Sequence, residues 1–83
     1  MIRLNHVTKQ YRRHGAALTD VTFELRKGEF CFLTGHSGAG KSTILKLIHM
    51  SEKPTTGEVR VSGYSSATIS PKEIAMLRRA LND

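Results

Sequence analysis

The stretch LTGHSGAGKST, residues 33–43, decides how this chain is read. Within it, Gly35, His36, Ser37, Gly38, Ala39, Gly40, Lys41 and Ser42 fit a pattern of one glycine, any four residues, then Gly-Lys-Ser/Thr. Each fixed position has a physical cause. The glycines permit positive φ and let backbone N–H groups approach an anion with no side chain in the way. Those N–H groups converge where the positive end of a following helix dipole also points. Lys41 reaches β- and γ-phosphates as a point charge, the Ser42 hydroxyl ligates Mg²⁺, and Thr43 adds a hydroxyl toward the α-phosphate. His36 lies in the cradle, with its side chain expected to point outward rather than act as a base. By average residue usage, the four fixed positions arise by chance in a chain this short on the order of a few times in a thousand.

The flanks supply the context such a loop requires. Before it, EFCFLT reads as a short, nearly continuous apolar strand of the kind covered on both faces. After it, KSTILKLIHM puts Ile44, Leu45, Leu47 and Ile48 on one helical face. That helix is predicted to stop before Pro54, since the residue preceding a proline avoids the α region. Upstream, Ile2, Leu4 and, less regularly, Val7 predict a first strand ended by the polar, basic loop TKQYRRHG. DVTFEL alternates with period two and predicts a second strand, followed by a tight turn at Lys27-Gly28. Downstream, EVRVS predicts a strand with Val59 and Val61 on one face. Ser70, Pro71 and Glu73 then form a capping box that opens a helix with Ile74, Leu77 and Leu81 on its apolar stripe. No repeat, low-complexity segment or linker interrupts residues 1–83, which are expected to belong to one domain.

Composition narrows the class further. A chain of 83 residues, 39% hydrophobic and 24% charged, has the balance of a soluble globular sequence. Chains of this length bury only about 60% of the surface their unfolded form exposes, so a marginal core is expected. The longest apolar run, FCFL at residues 30–33, is far short of the roughly 20 residues of a membrane span, and the opening MIRLNHVTKQ has no secretory apolar block. These features predict a cytosolic chain. The single Cys31 cannot form an internal disulfide and reads as a small buried hydrophobe. A net charge of +6 favours anionic partners without choosing among them.

Tyr11 is the second candidate binding residue, an aromatic in a polar loop. The residues alone leave two readings open, stacking on an adenine ring or packing on a sheet edge. His6, His14 and His49 share no metal-ligand spacing. The cluster Arg12, Arg13 and His14 reads as a solvated face, and no recognisable nucleic-acid motif accompanies it, so no nucleic-acid partner is expected.

At these residues the chain resembles the N-terminal part of ABC-type ATPases, most closely the FtsE-type cell-division ATP-binding proteins. MIRLNHVTKQY resembles that group's opening strand and adenine-loop tyrosine, and AALTDVTFELRKGEFCFLTGHSGAGKSTILKLI its next strands, phosphate loop and first helix. TGHSGAGKST is the more discriminating wording, whereas KPTTGEVRVSG is shared across many ABC ATPases. The resemblance implies an α/β fold, the front of a P-loop nucleotide-binding domain with antiparallel strands, a strand–loop–helix unit and an incomplete sheet. It also implies ATP and Mg²⁺ as ligands and Tyr11 as the adenine-stacking residue. A second ATPase subunit in a homodimer and an integral membrane partner of the FtsX type follow from it, as does a place at the cytoplasmic face of the inner membrane.

The chain departs from the family in two ways. His49-Met50-Ser51 stands where a glycine is common after the first helix, so a different helix end is expected. The Mg²⁺-sensing glutamine, the Leu-Ser-Gly-Gly signature, the catalytic glutamate and the switch histidine do not occur in the 83 residues. Residues 1–83 therefore offer no catalytic residue, and neither ATP hydrolysis nor a robust isolated fold is expected of them alone. Two further readings stand beside the cell-division one: the ATPase of a lipoprotein- or macrolide-export transporter, and a non-hydrolysing nucleotide-binding or decoy module.

Overall fold

The computed structural model of the protein describes residues 1–26, 29 and 39–82, the side chains of 39–41 and 82 excepted. The expected EFCFLT strand, the Lys27-Gly28 turn, Cys31 and the cradle positions Gly35, His36, Ser37 and Gly38 lie outside the described residues.

Four antiparallel strands, β1 (Ile2–Tyr11), β2 (Gly15–Leu25), β3 (Thr56–Val61) and β4 (Tyr64–Ser65), form a sheet in the order β2-β1-β3-β4. Helix α1 (Ala39–Ile48) packs against β2 and β3, and α2 (Pro71–Asn82) follows β4. The core draws on every layer. Ile2, Leu4 and Val7 from β1, Leu18 from β2, Leu47 and Ile48 from α1, Val59 and Val61 from β3, and Leu77 from α2 are all buried. Each such side chain contributes about 1.5–3 kcal/mol relative to leaving it exposed. The small antiparallel α/β fold with an incomplete sheet is thus as the sequence predicts.

Strand lengths differ from the sequence reading. The segment taken as a basic loop, from Thr8 to Tyr11, continues β1, and β2 begins at Gly15 rather than Asp20. The cause is a series of three register shifts, the last between Lys9 and Gln10, where the partners advance from Leu18 to Ala16. Between Leu4 and Val7 the register on β2 advances only from Phe23 to Val21, so β1 carries one extra residue, and His6 sits there at φ 48. Between Val7 and Lys9 the partners advance from Val21 to Leu18, so β2 carries the next extra residue, with Asp20 at φ 47. The irregular spacing of Val7 in the sequence is this bulge. It shifts the buried alternation from Ile2 and Leu4 to Val7, leaving the buried face unbroken.

The bulges are closed by their own side chains. His6 N–H donates to Thr22 Oγ1 at 2.9 Å, Asp20 N–H donates to Thr8 Oγ1 at 3.0 Å, and the His6 and Asp20 side chains meet at 2.8 Å. On the other side of β1, the same bulge pushes carbonyls toward β3. Gly57, at φ +88, lies where an added Cβ would fall on His6 O and within 2.6 Å of Asn5 O.

Helix ends follow their sequence signals. Ser70 N–H donates to Glu73 Oε1 at 3.0 Å and Glu73 N–H donates to Ser70 Oγ at 3.2 Å, the reciprocal box that opens α2. Helix α1 closes through Met50 N–H to Leu47 O at 3.1 Å and Ser51 N–H to Lys46 O at 3.0 Å. Met50 takes φ 60 in this left-handed cap, the place a glycine usually fills, and its side chain is buried. The absent glycine therefore leaves this cap's hydrogen bonds in place, at the cost of holding a side chain in the left-handed region, about 1–2 kcal/mol. Arg78 of α2 donates Nε–H to His49 O at 3.0 Å, tying the two helices at that point.

Gly57→Ala is expected to destabilise the protein by more than about 2 kcal/mol, since it combines positive φ with overlap on backbone. Gly63→Ala, at φ +86 in open space, isolates the strain alone. Denaturant midpoints for the two variants check this, and equal losses would contradict the close approach of β3 to the bulge.

Candidate functional site

The bulge at His6 decides where β1 aims its last residues. From Val7 onward, alternate side chains, those of Val7, Lys9 and Tyr11, share the helix-covered face. Val7 is fully buried, the Lys9 side chain is only 15% exposed, and Tyr11 is half-buried. The structure thus places Tyr11 at the end of a strand, paired with Gly15, rather than in a loop.

Its phenol is met from two directions. The hydroxyl donates to Glu52 Oε2 at 2.5 Å, and the side chain of Thr43, a buried residue of α1, lies close enough to the phenol to act on its pKa. Glu52 is itself held by cations, with Lys9 Nζ at 3.7 Å from Oε2 and Lys46 Nζ at 3.9 Å from Oε1. Lys9 also donates to Lys53 O at 2.7 Å and stands 5.3 Å from the Tyr11 ring centroid, within cation–π range. These contacts join β1, α1 and the turn after α1 in one polar cluster.

The electrostatics follow from the contacts. The hydrogen bond to Glu52 and burial raise the Tyr11 pKa above its ordinary value, opposed by the Thr43 hydrogen bond. The same Tyr11 hydrogen bond lowers the Glu52 carboxyl, with Lys46 and Lys9 adding to it. Beside the cluster, Gln10, Tyr11, Arg12, Gly15, Ala16 and Thr55 line an open depression of about 460 Å³.

The two sequence-predicted regions therefore converge. Tyr11 and Thr43 are in contact, while Ser42 is exposed one residue earlier in α1. Ala39, Gly40 and Lys41 lie in the first turn of α1, which carries no acidic residue to oppose an anion. Glu52 and Lys9 escaped the sequence reading. A glutamate in a turn and a lysine on a strand carry no local signal, since only the fold brings them to Tyr11.

A sequence profile described as "ABC transporter" matches residues 18–82. The chain is 48% identical over 81 residues to the cell division ATP-binding protein FtsE of Escherichia coli K12, covering 98% of this chain and 36% of that protein. It is 44% identical over 82 residues to FtsE of Mycobacterium tuberculosis, again with 98% and 36% covered. It is also 38% identical over 84 residues to the methionine import ATP-binding protein MetN of Haemophilus influenzae, covering 98% of this chain and 24% of that protein. Among solved structures it resembles a dimeric ATP-binding cassette in a post-hydrolysis state bound to ADP and Pi, with TM-score 0.70, 31% identity and coverage of 95% of this chain and 35% of that one. The chain spans about a third of the length of the FtsE relatives it matches.

The Tyr11–Glu52 contact predicts a pH signature. Glu52 is depressed, so its contribution is present above the ordinary carboxylate range and lost as pH falls through the depressed value. Tyr11 is raised, so its contribution is present below its ordinary value of 10.0 and lost as pH rises through the raised value. The destabilisation caused by Tyr11→Phe is therefore expected to be constant near neutrality and to shrink on acidification below the ordinary carboxylate range. Urea midpoints of both proteins across pH check this. A difference that does not change with pH would mean the carboxylate does not hold the phenol.

Proposed function

Because the chain belongs to the ABC transporter family, with the ATP-binding cassette fold described above, we propose that it binds ATP with Mg²⁺ through residues 35–43 and Tyr11. In this reading it is the front of the nucleotide-binding domain of an FtsE-type cell-division ATPase. The observation that carries the site assignment is the contact of Tyr11 with Thr43. It sets an aromatic side chain beside α1, the helix into which the phosphate-loop sequence runs.

The residues fit the ligand. In the sequence pattern the amides of residues 35–40 are the donors the cradle would use, and the α1 dipole favours negative charge at its first turn. In this reading Lys41 is the cation for the outer phosphates, Ser42 offers an exposed hydroxyl for Mg²⁺, and the Thr43 hydroxyl, beside Tyr11 without nucleotide, turns to the α-phosphate when it binds. Tyr11 borders a depression with room for a purine base.

The 48% identity to the Escherichia coli FtsE supports a cell-division ATPase that works as a homodimer at the cytoplasmic face of the inner membrane, with an integral partner of the FtsX type. The solved relative's dimeric state supports the pairing. Hydrolysis belongs to the assembled full-length protein. The 38% identity to MetN favours, as the second reading, a transporter ATPase docked on a different membrane subunit. Co-purification of the full-length protein with a co-expressed FtsX-type subunit supports the first reading, and failure to co-purify favours the second.

Lys41→Ala in the full-length protein is expected to remove most MgATP affinity in a fluorescent-nucleotide titration, and unchanged binding would overturn the cradle assignment. Tyr11→Ala is expected to weaken MgATP by about 5- to 150-fold, the worth of one stacked base, and to leave tripolyphosphate nearly unaffected. Equal losses for both ligands would make Tyr11 a packing residue.

A further inference from the structure

We propose that Glu52 is a positioning residue of the nucleotide site, fixing the Tyr11 ring by accepting its phenol hydrogen bond so that the base meets an ordered platform. The inference rests on the reading of Tyr11 as the base-stacking residue and names a group that reading does not require.

Three observations carry it. The Tyr11 hydroxyl to Glu52 Oε2 contact is 2.5 Å, the length of a strong charge-assisted hydrogen bond. Glu52 is not free to swing away, because Lys9 approaches one carboxylate oxygen at 3.7 Å and Lys46 the other at 3.9 Å. The carboxylate side chain is only 29% exposed, so the bond is partly shielded from competing water. Thr43 of α1 also lies beside the phenol, so the ring meets both that helix and the turn that follows it.

A tyrosine attached only through Cα and Cβ samples two torsions. Tethering its distal oxygen removes most of that freedom before ligand arrives, and preorganisation of this kind appears as affinity. Tethering adds nothing for a ligand without a base. Glu52 therefore acts on the adenine-bearing ligand and leaves the phosphates alone.

The test uses the full-length protein and two probes, MgATP and inorganic tripolyphosphate. Glu52→Ala is expected to weaken MgATP by about two- to tenfold, the worth of ordering one side chain, with tripolyphosphate unchanged. Glu52→Gln, which keeps an acceptor, is expected to recover most of the loss. Tyr11→Phe keeps the ring and removes the donor, so it is expected to match Glu52→Ala, and adding Glu52→Ala to it is expected to have no further effect. A merely structural role would weaken both probes together and make the two substitutions additive. Either result, or unchanged MgATP binding in Glu52→Ala, overturns the proposal. Tyr11→Ala separates the two levels. A base-selective loss there without one in Glu52→Ala removes only the role of Glu52, whereas no base-selective loss in Tyr11→Ala removes the platform itself and the proposal with it.

Discussion

An extra residue in β1 has to be accommodated somewhere, and the way His6 is accommodated sets most of what lies around it. His6 adopts positive φ, Asp20 does the same on the neighbouring strand, and the two side chains meet across the gap. Thr8 and Thr22 take up the amides that the irregular ladder leaves over. On the far side, β3 approaches so closely that only Gly57 fits against the displaced carbonyls. Each device compensates another. Positive φ at two non-glycine residues persists because threonine acceptors, a polar pair and a glycine surround it.

The consequence for function is one of direction. With the alternation reset, Val7 stays in the core while Lys9 and Tyr11 run along the same face to the end of the strand, beside α1. Helix α1 is anchored there by Leu47 and Ile48 in the core and closed by Met50 in a left-handed cap. The turn after that cap carries Glu52 back to the phenol. Tyr11 and Thr43, 32 positions apart in sequence, are thereby brought together by backbone geometry rather than by proximity along the chain, as the proposed nucleotide site requires.

Much of this was legible beforehand, and the exceptions have physical reasons. The capping box at Ser70 and Glu73, the apolar face of α1 and the Val59/Val61 strand are local signals, and each appears as read. The phosphate-loop wording identified the family, which the profile match and the relatives support. The extents of β1 and β2 were misjudged because three register shifts interrupt period two, so a strand broken repeatedly reads as a strand plus a loop. Tyr11 was found by type but placed in the wrong element for that reason. Glu52 had no local signal, because its importance comes from a contact 41 residues away in sequence. The sequence did flag His49-Met50-Ser51, where a glycine is common, but the different helix end expected there is not what forms: Met50 keeps the left-handed cap at positive φ.

The central claim is that β1 delivers Tyr11 to α1, with its phenol against Thr43 and Glu52. Nuclear Overhauser spectroscopy on the full-length protein without nucleotide tests it directly, by asking whether the Tyr11 ring protons contact the Thr43 methyl group. The account predicts a clear cross-peak, with a slowly exchanging Tyr11 hydroxyl. A freely averaging Tyr11 ring with no contact to Thr43 would contradict it.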